Sequence, residues 1–501
     1  MERARGFNDE IVGHAVHRAR DRFVEQLRSR ENEILTLAAK HCGHASARFF
    51  PSRAVGDYYA RGSYNALFFV EFADGSRSVV RIPIRPTLAY CPRLKLQCEI
   101  ATMQHVSETT TIPIPRILAY ALESGTDPLS TFLVLEYIDG NVLSPAAFGS
   151  LPADAKRTLY ESLADVYVQL RRQEFPSIGR LKLGATGVAA HTATVDINMM
   201  LLEGLNPLSI QDFYHGESGI LKSANQYTKM QLAIGFNAFV KSRSALDPEL
   251  ALERIYNHHR FSKHVQSWLD PKMDEGPFVL VHGDLQLSNL MLDDDARVIG
   301  VLDWEWSRIV PLQFLTPPLW LSGTDFVQLG HPNSWCLFHM KQLADFLRIL
   351  KVQEDKMFQN STLYDEWSGR TENAEPLVAN ALESWTDMEL FAHNWLGKAV
   401  SPTDEVLRAF ADEDPLRGLM ADIKARDARK YQHELNNLNL SSENDESKNQ
   451  TEEHAGMAKI MGWMSQQQGI PAAACIGFTI AASISIAAVW LRLRPSSSPS
   501  L

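Results

Sequence analysis

The segment "LVHGDLQLSNLMLDDDARVIGVLDWEWS", residues 280–307, combines short apolar runs with an unusual number of polar side chains. The apolar runs at 290–292 and 298–302 have the length of strands, and the acidic residues between them are typical of a solvated turn. Five polar residues lie at the ends of these runs: His282, Asp284, Asn289, Asp303 and Glu305. The segment therefore predicts strands that carry a cluster of mostly oxygen-bearing side chains at their ends.

These residue types suit phosphoryl transfer from ATP, which asks a protein mainly for positioning and charge stabilisation. A carboxylate is needed to orient the acceptor hydroxyl and take its proton, and Mg²⁺ prefers carboxylate and amide oxygens. Asp284 and Asn289 lie five residues apart on a loop, so one can face the acceptor while the other faces the metal. Asp303, at the end of the following strand, is placed to approach that metal from the other side. His282 is expected to orient the loop by hydrogen bonding.

The sequence "HGDLQLSN" followed by "DWE" resembles the catalytic and metal loops of the aminoglycoside phosphotransferase family. Its H-x-D-x-x-x-x-N spacing is also that of the protein-kinase catalytic loop. The resemblance implies an α+β, protein-kinase-like bilobal fold with a small antiparallel β-rich N-lobe and a larger, mainly helical C-lobe. It implies Asp284 as catalytic base beside His282, and Asn289 and Asp303 as Mg²⁺ ligands. Glu305 is expected to assist the metal or to bind substrate.

Upstream segments resemble the ATP site of the same family. "ARGSYNALFFVEF" is similar to its phosphate loop, with Gly62, Ser63 and Asn65 near the turn. "SVVRIPI" places Arg81 where the family has a phosphate-binding lysine, and Glu99 on the next helix is the expected ion-pair partner. Arginine keeps the charge but is planar and bulkier than lysine. An exposed charge on an edge strand is the alternative interpretation of Arg81.

The segment "FLVLEYIDG" resembles the family's connection between the two lobes. Adenine would be held there by the backbone of Glu136, Tyr137 and Ile138, so the side chains carry little information. A buried strand that ends in a turn is the alternative. These pieces occur in the order of the family across residues 50–400, and this collinearity supports the resemblance more than any one motif does.

The hydrophobic pattern divides the chain into successive regions. The predicted regions are an N-terminal helical segment at 1–50, the N-lobe at 51–140, the C-lobe at 141–433 and a polar linker at 434–468. Residues 470–491 are 22 residues without a charge, followed by "RLR", and this length predicts a C-terminal transmembrane helix over 469–491. The alternatives are an apolar helix docked in a soluble protein, or a tail that does not insert. An inserted tail would leave the catalytic region in the cytosol, on the mitochondrial outer membrane or the endoplasmic reticulum.

Composition limits the partners and the compartment. The net charge of −11 argues against a nucleic-acid binder, which would carry a basic patch. Five scattered cysteines form no disulfide framework, and the first residues lack the apolar region of a secretory signal, so an intracellular protein is expected. No protein partner can be inferred from the sequence.

Two functions are compatible with these features. The first is an ATP- and Mg²⁺-dependent phosphotransferase acting on a hydroxyl of a small molecule. Protein substrates are disfavoured because no "APE"-like segment follows the metal loop. The second is a catalytically weak or inactive pseudokinase, a nucleotide-binding scaffold tethered to a membrane, which the arginine at position 81 and the apolar tail suggest. The helical lobe carries no motif that identifies the acceptor.

Overall fold

The computed structural model describes residues 9–88, 92–123, 125–184, 187–191, 221–243, 248–323, 329–371 and 374–438. The chain forms two compact units, Met1–Tyr431 and Gln432–Leu501. Of the second unit, residues 432–438 are described, and they are helical. The rest of the predicted polar linker and the predicted transmembrane helix at 469–491 lie outside the described residues. Within the described part, no helix is both long and apolar enough to span a membrane.

The N-lobe is built on one six-stranded antiparallel sheet. Its strands are β1 (Ala47–Phe49), β2 (Tyr59–Arg61), β3 (Asn65–Phe72), β4 (Arg77–Pro83), β5 (Ile117–Leu122) and β6 (Thr131–Glu136). The strand order is β1-β3-β4-β6-β5, and β2 also pairs with β3. The tight β3–β4 hairpin turns at Gly75, whose φ of +84° is readily available only to glycine. Strand β4, which carries Arg81, therefore lies in the middle of the sheet.

Two helices, α1 (Glu10–Arg28) and α2 (Glu31–Cys42), precede the sheet. Asp9 caps α1 by accepting a hydrogen bond from the backbone N–H of Val12, and Gly43 ends α2 in the left-handed conformation. Leu27 and Ile34 are fully buried in one apolar cluster with residues of the sheet such as Phe68. The N-terminal helices thus share a core with the sheet.

Helix α3 (Pro92–Thr109) follows β4 and packs against the strand Arg180–Gly184 and the loop at Trp304–Trp306 as well as against β5 and β6 of the sheet. After β6 the chain passes to the C-lobe. Asn141 exchanges two backbone hydrogen bonds of 2.8 Å with Leu292. Gly140 lies so close to the same strand that a Cβ would stand 2.8 Å from the Leu292 carbonyl oxygen. The connection between the lobes is therefore fixed to the C-lobe from Gly140 onward.

The C-lobe is mainly helical. Its helices include α4 (Pro145–Gly149), α5 (Ala153–Arg171), α6 (Ala224–Lys241), α7 (Ala251–Trp268), α8 (Met340–Phe358), α9 (Thr362–Ser368), α10 (Glu375–Ala381), α11 (Trp385–Phe391) and α12 (Asp404–Glu413), and residues 415–431 are also helical. Its strands include β7 (Glu174–Phe175), β8 (Arg180–Gly184), β9 (Gly187–His191), β10 (Phe278–Val281), β11 (Leu290–Leu292), β12 (Val298–Val301) and β13 (Arg308–Pro311). The predicted α+β class, with a small antiparallel β-rich lobe and a larger helical lobe, is confirmed.

The segment that opened the sequence analysis forms two small antiparallel ladders. Strand β10 pairs with β13 and β7, and β11 pairs with β12 through the acidic turn. Most residues of these strands are apolar and buried, and most of those belong to the large core of the C-lobe. Because the core fixes β10 and β12, the residues that follow them, 282–284 and 302–305, are held in a defined geometry.

Candidate active site

His282 fixes the loop that follows β10. Its side chain is buried, Nε2 donates to the carbonyl oxygen of Leu302 at 2.9 Å, and Nδ1 accepts from the backbone N–H of Asp284 at 3.3 Å. Burial lowers the pKa of His282 to about 4, although the hydrogen bond to Leu302 opposes the shift. The ring is thus neutral with both nitrogens in use, and it positions Asp284 rather than acting as a base.

Gly283 allows the loop to turn tightly between these two residues. Its φ is +82°, and a Cβ there would lie 2.2 Å from the carbonyl oxygen of Trp306 and 2.9 Å from Nη1 of Arg308. Neither contact leaves room for a side chain. The glycine in the "HGD" motif is therefore required by close packing against the segment after the metal loop.

The Asp284 carboxylate is held by two amide side chains. Asn289 Nδ2 donates to the Asp284 carbonyl oxygen at 2.7 Å and to Oδ2 at 3.0 Å, and Gln286 Nε2 donates to Oδ2 at 3.3 Å. Burial raises the pKa of Asp284, while these two donors lower it. Because the Asn289 nitrogen is engaged with Asp284, the amide oxygen is the atom that it can offer to a cation.

Beyond this loop, five charged side chains form the cleft cluster, defined as Arg81, Lys95, Glu99, Asp303 and Glu305. Arg81 pairs with Glu99, with Asp303 Oδ1 at 2.5 Å and with Glu305 Oε2 at 2.9 Å. The Arg81 side chain is only 6% exposed. Arg81 is therefore a buried cation at the centre of three carboxylates, and its interpretation as an exposed charge on an edge strand is wrong.

Asp303 and Glu305 differ in their surroundings. Asp303 has a left-handed backbone, with φ of +65°, and burial together with the charge of Glu305 raises the pKa of its carboxyl. Glu305 is fully buried, yet Lys95 and Arg81 overcome that burial and lower its pKa to about 2. Asn65 Nδ2 also donates to Glu305 at 3.0 Å. Glu305 is thus engaged by donors from the N-lobe, while Asp303 keeps a partly exposed carboxylate at the cleft.

Lys95 was not among the predicted site residues. Its Nζ lies 2.5 Å from Glu305 Oε2, 4.7 Å from the centre of the Tyr64 ring and 4.4 Å from that of Trp306. A sequence signal was available, because Lys95 precedes Glu99 by four residues and so lies on the same face of helix α3. The cation that contacts the Trp306 ring is therefore a side chain of the protein itself.

A cavity of about 460 Å³ lies in the cleft between the sheet and the C-lobe. The phosphate-loop residues Gly62, Ser63 and Asn65 line it at the β2–β3 turn. Glu136, Tyr137 and Ile138 line it where the lobes connect, together with the apolar side chains of Val79, Leu135 and Met291. The Glu136 carboxylate turns away to pair with Arg116 at 2.9 Å, which leaves the backbone of this segment for a ligand. Arg81, Glu99, Asp284, Asn289, Asp303 and Glu305 also line this cavity.

A second cavity of about 430 Å³ lies on the C-lobe side of the catalytic loop. Asp284 and Gln286 line both cavities. The second cavity has apolar walls at Phe314, Pro317 and Trp320, and a charged pair formed by Arg308 and Glu383. The half-buried side chain of Asp284 thus lines two cavities, one on each side of the catalytic loop.

The residues that could hold a metal are limited. No group of three or more His, Cys, Asp or Glu side chains with the arrangement of a metal site occurs among the residues described. Mg²⁺ commonly takes one or two protein carboxylates and completes its shell with water and phosphate oxygens. Asp303 and the amide oxygen of Asn289 fit that smaller donor set.

Comparison with known proteins gives one family and several remote relatives. Residues 58–314 match the model of the phosphotransferase enzyme family. A subtelomeric hrmA-associated cluster protein of Aspergillus fumigatus is 23% identical over 348 residues, which are 59% of this chain and 63% of that protein. A clavilactone A biosynthesis cluster protein Y of Ampulloclitocybe clavipes is 25% identical over 274 residues, which are 53% of this chain and 64% of that protein. The chain therefore spans less than two thirds of the length of these relatives.

Solved structures with a similar course of the chain include a macrolide 2′-phosphotransferase type I and the streptomycin–ATP complex of APH(2″)-IIa. The first is 15% identical, with 75% of this chain and 98% of that chain covered and a TM-score of 0.37. The second is 14% identical, with 70% and 90% covered and a TM-score of 0.35.

Proposed function

The chain belongs to the phosphotransferase enzyme family, and from this premise we propose that it is an ATP- and Mg²⁺-dependent phosphotransferase acting on a hydroxyl of a small molecule. The observation that carries the proposal is the position of Asp284, which lines both the cleft cavity and the cavity on the C-lobe side. ATP would occupy the first and the acceptor alcohol the second.

Asp284 would act as the general base. The acceptor oxygen forms the new bond to the γ-phosphorus, the bond from that phosphorus to the bridging oxygen of ADP breaks, and the hydroxyl proton goes to the Asp284 carboxylate. Asn289 and Gln286 hold the carboxylate in place, and neutral His282 holds the loop. Because the base must be ionised, activity is expected to fall as the pH drops through the raised pKa of Asp284.

The cleft fits a metal–nucleotide complex. Asp303 and Asn289 would hold Mg²⁺, which when bound neutralises charge on the phosphate oxygens. Arg81 and Lys95 bring two positive charges to the same end of the cavity, and Glu99 and Glu305 keep them in place. Tyr137 packs edge-on against Phe50, which stabilises the connection where an adenine would lie.

A nucleotide-binding scaffold without activity is the second candidate. It is favoured by one observation: Arg81 is engaged by three carboxylates, so its guanidinium has little freedom to reach a phosphate. The scaffold would bind ATP but turn over no acceptor. If the uncharged run at 470–491 inserts in a membrane, the scaffold would be tethered there. Fractionating the full chain beside a version truncated after residue 465 tests the tether, and equal solubility of the two would contradict it.

The catalytic proposal is tested by Mg²⁺-dependent phosphoryl transfer from ATP to a panel of small alcohols. Asp284→Asn should lower kcat by about 10²–10⁴-fold, the usual contribution of a general base. A thermal shift on adding ATP should persist in this variant, because the cleft cluster is intact. Asp295→Asn, the same change in the exposed turn between β11 and β12, is the matched control and should keep full activity. Equal turnover by wild type and Asp284→Asn would remove Asp284 from this role.

A further inference from the structure

The cavity on the C-lobe side carries few charges. Three of its described lining residues are charged at neutral pH: Asp284, Arg308 and Glu383. If Asp284 is reserved for the proton, one arginine and one glutamate remain, and their charges cancel. An acceptor with several ammonium groups would meet a single carboxylate here, so the cavity is poorly matched to a polycation.

Arg308 is fixed and largely buried. It is the first residue of β13, directly opposite Val281 on β10, the strand that leads into the catalytic loop. Its Nη1 lies against the backbone of Gly283, and its side chain is only 14% exposed. The guanidinium therefore lies beside the loop that carries Asp284.

Glu383 is the more exposed partner of the pair. It lies on the short connection between α10 and α11 and accepts a hydrogen bond from Nη2 of Arg308. Its side chain is 46% exposed, so it can move into solvent at little cost in desolvation. When Glu383 moves into solvent, the largely buried guanidinium of Arg308 loses that carboxylate, and a carboxylate of the ligand can take the same position.

We propose that the acceptor is an alcohol that also carries a carboxylate, and that this carboxylate binds Arg308 in place of Glu383. This inference rests on the proposed phosphotransferase function. The planar guanidinium presents parallel donors that match a carboxylate in two hydrogen bonds. Phe314, Pro317 and Trp320 provide an apolar wall for the carbon skeleton between the two ends of the molecule. The hydroxyl then lies toward Asp284, which receives its proton as the phosphoryl group is transferred.

The test compares three series of alcohols matched in carbon chain: ω-hydroxy acids, their primary amides and the corresponding amino alcohols. In the wild-type protein, the best acid should exceed its amide by about 10–100-fold in kcat/KM, the value of a charged hydrogen bond of 1.5–3 kcal/mol. Arg308→Gln should remove most of this preference, because KM for the acid should rise by a much larger factor than KM for the amide. Glu383→Gln should leave KM for the acid unchanged or lower it. Arg157→Gln, on the exposed face of α5, is the matched control and should change neither.

The ranking of acids against amides needs no variant, so the inference is testable even if Arg308→Gln folds poorly. Equal or faster turnover of the amides or amino alcohols by the wild-type protein would overturn the inference and leave the proposed function standing. A loss in Arg308→Gln that is the same for acid and amide, with an unchanged Tm, would also overturn it. Absence of transfer to every alcohol and of any thermal shift with ATP would instead overturn the proposed function, and this inference with it.

Discussion

The two cavities that meet at Asp284 differ in how deeply their charged residues are buried. On the cleft side, five charged residues form a buried network in which Arg81 alone contacts three carboxylates. On the other side, Arg308 pairs with Glu383, whose side chain is 46% exposed. Under the proposed function, the first side serves a ligand that never varies and can be built rigidly. The second side must release its own ion pair to receive the acceptor, so part of it remains in contact with solvent.

The largest expected effect tests the difference in burial directly. Arg81→Met leaves Glu99, Asp303 and Glu305 without their shared cation and should lower the free energy of unfolding by about 3–5 kcal/mol, as is usual when one partner of a buried pair is removed. The same change at Arg308 should cost about 1 kcal/mol or less, because Glu383 returns to water. Urea denaturation of the two variants measures both values. Losses that agree within error would abolish the distinction between the two sides.

Gly283 affects both cavities, because it allows the tight turn of the loop that carries Asp284. Gly283→Ala should destabilise the protein by about 1–3 kcal/mol through backbone strain alone, and the clash with the Trp306 carbonyl adds to it. Displacing Asp284 by an ångström should lower kcat about 10²-fold. Gly13→Ala in α1, where a new Cβ meets no atom within 4 Å, should have the opposite sign and stabilise slightly. A stable, active Gly283→Ala variant would show that the loop can relax.

Lys95 should matter less than Arg81, because Glu305 retains Arg81 and Asn65 when Lys95 is lost. Lys95→Met should lower the free energy of unfolding by about 1–2 kcal/mol, the combined value of its ion pair and its contacts with Tyr64 and Trp306. Lys263→Met, at an exposed position of α7, is the control and should have no measurable effect. A loss as large as that of Arg81→Met would mean that the two cations are equivalent in the network.

The smallest expected effect is a shift in the pH dependence of kcat/KM. Gln286 donates to Asp284 and so lowers the pKa of that carboxyl against the effect of burial. Gln286→Met should therefore raise the pKa and move the acidic limb of the kcat/KM profile to higher pH by about 0.5 unit, equivalent to less than 1 kcal/mol. Gln26→Met, at an exposed position of α1, is the control and should leave the limb in place. A shift to lower pH would contradict the assignment of Asp284 as the titrating base.

The sequence predicts the fold better than it predicts the side-chain contacts within the site. The "HGD", "DWE" and phosphate-loop residues are contiguous motifs, and the pairing of Arg81 with Glu99 follows from one strand and the next helix. The structure brings them together as expected. The contact of Lys95 with the Tyr64 and Trp306 rings forms only when three segments that are distant in the sequence come together. The pairing of Arg308 with Glu383 joins residues 75 positions apart and leaves no local pattern. Contacts of this kind depend on tertiary packing, and the pair of Arg308 with Glu383 lines the cavity on the C-lobe side.

Two backbone hydrogen bonds join Asn141 to Leu292, and Gly140 packs closely against the same strand. These contacts limit how the cleft can open. The chain after Gly140 moves with the β11–β12 hairpin, whose ends carry Asn289 and Asp303. Any widening of the cleft is then expected to occur by rotation of the lobes about a hinge at residues 137–139. Such a rotation would carry Arg81 away from Asp303 while leaving Asp284, Asn289 and the cavity on the C-lobe side undisturbed.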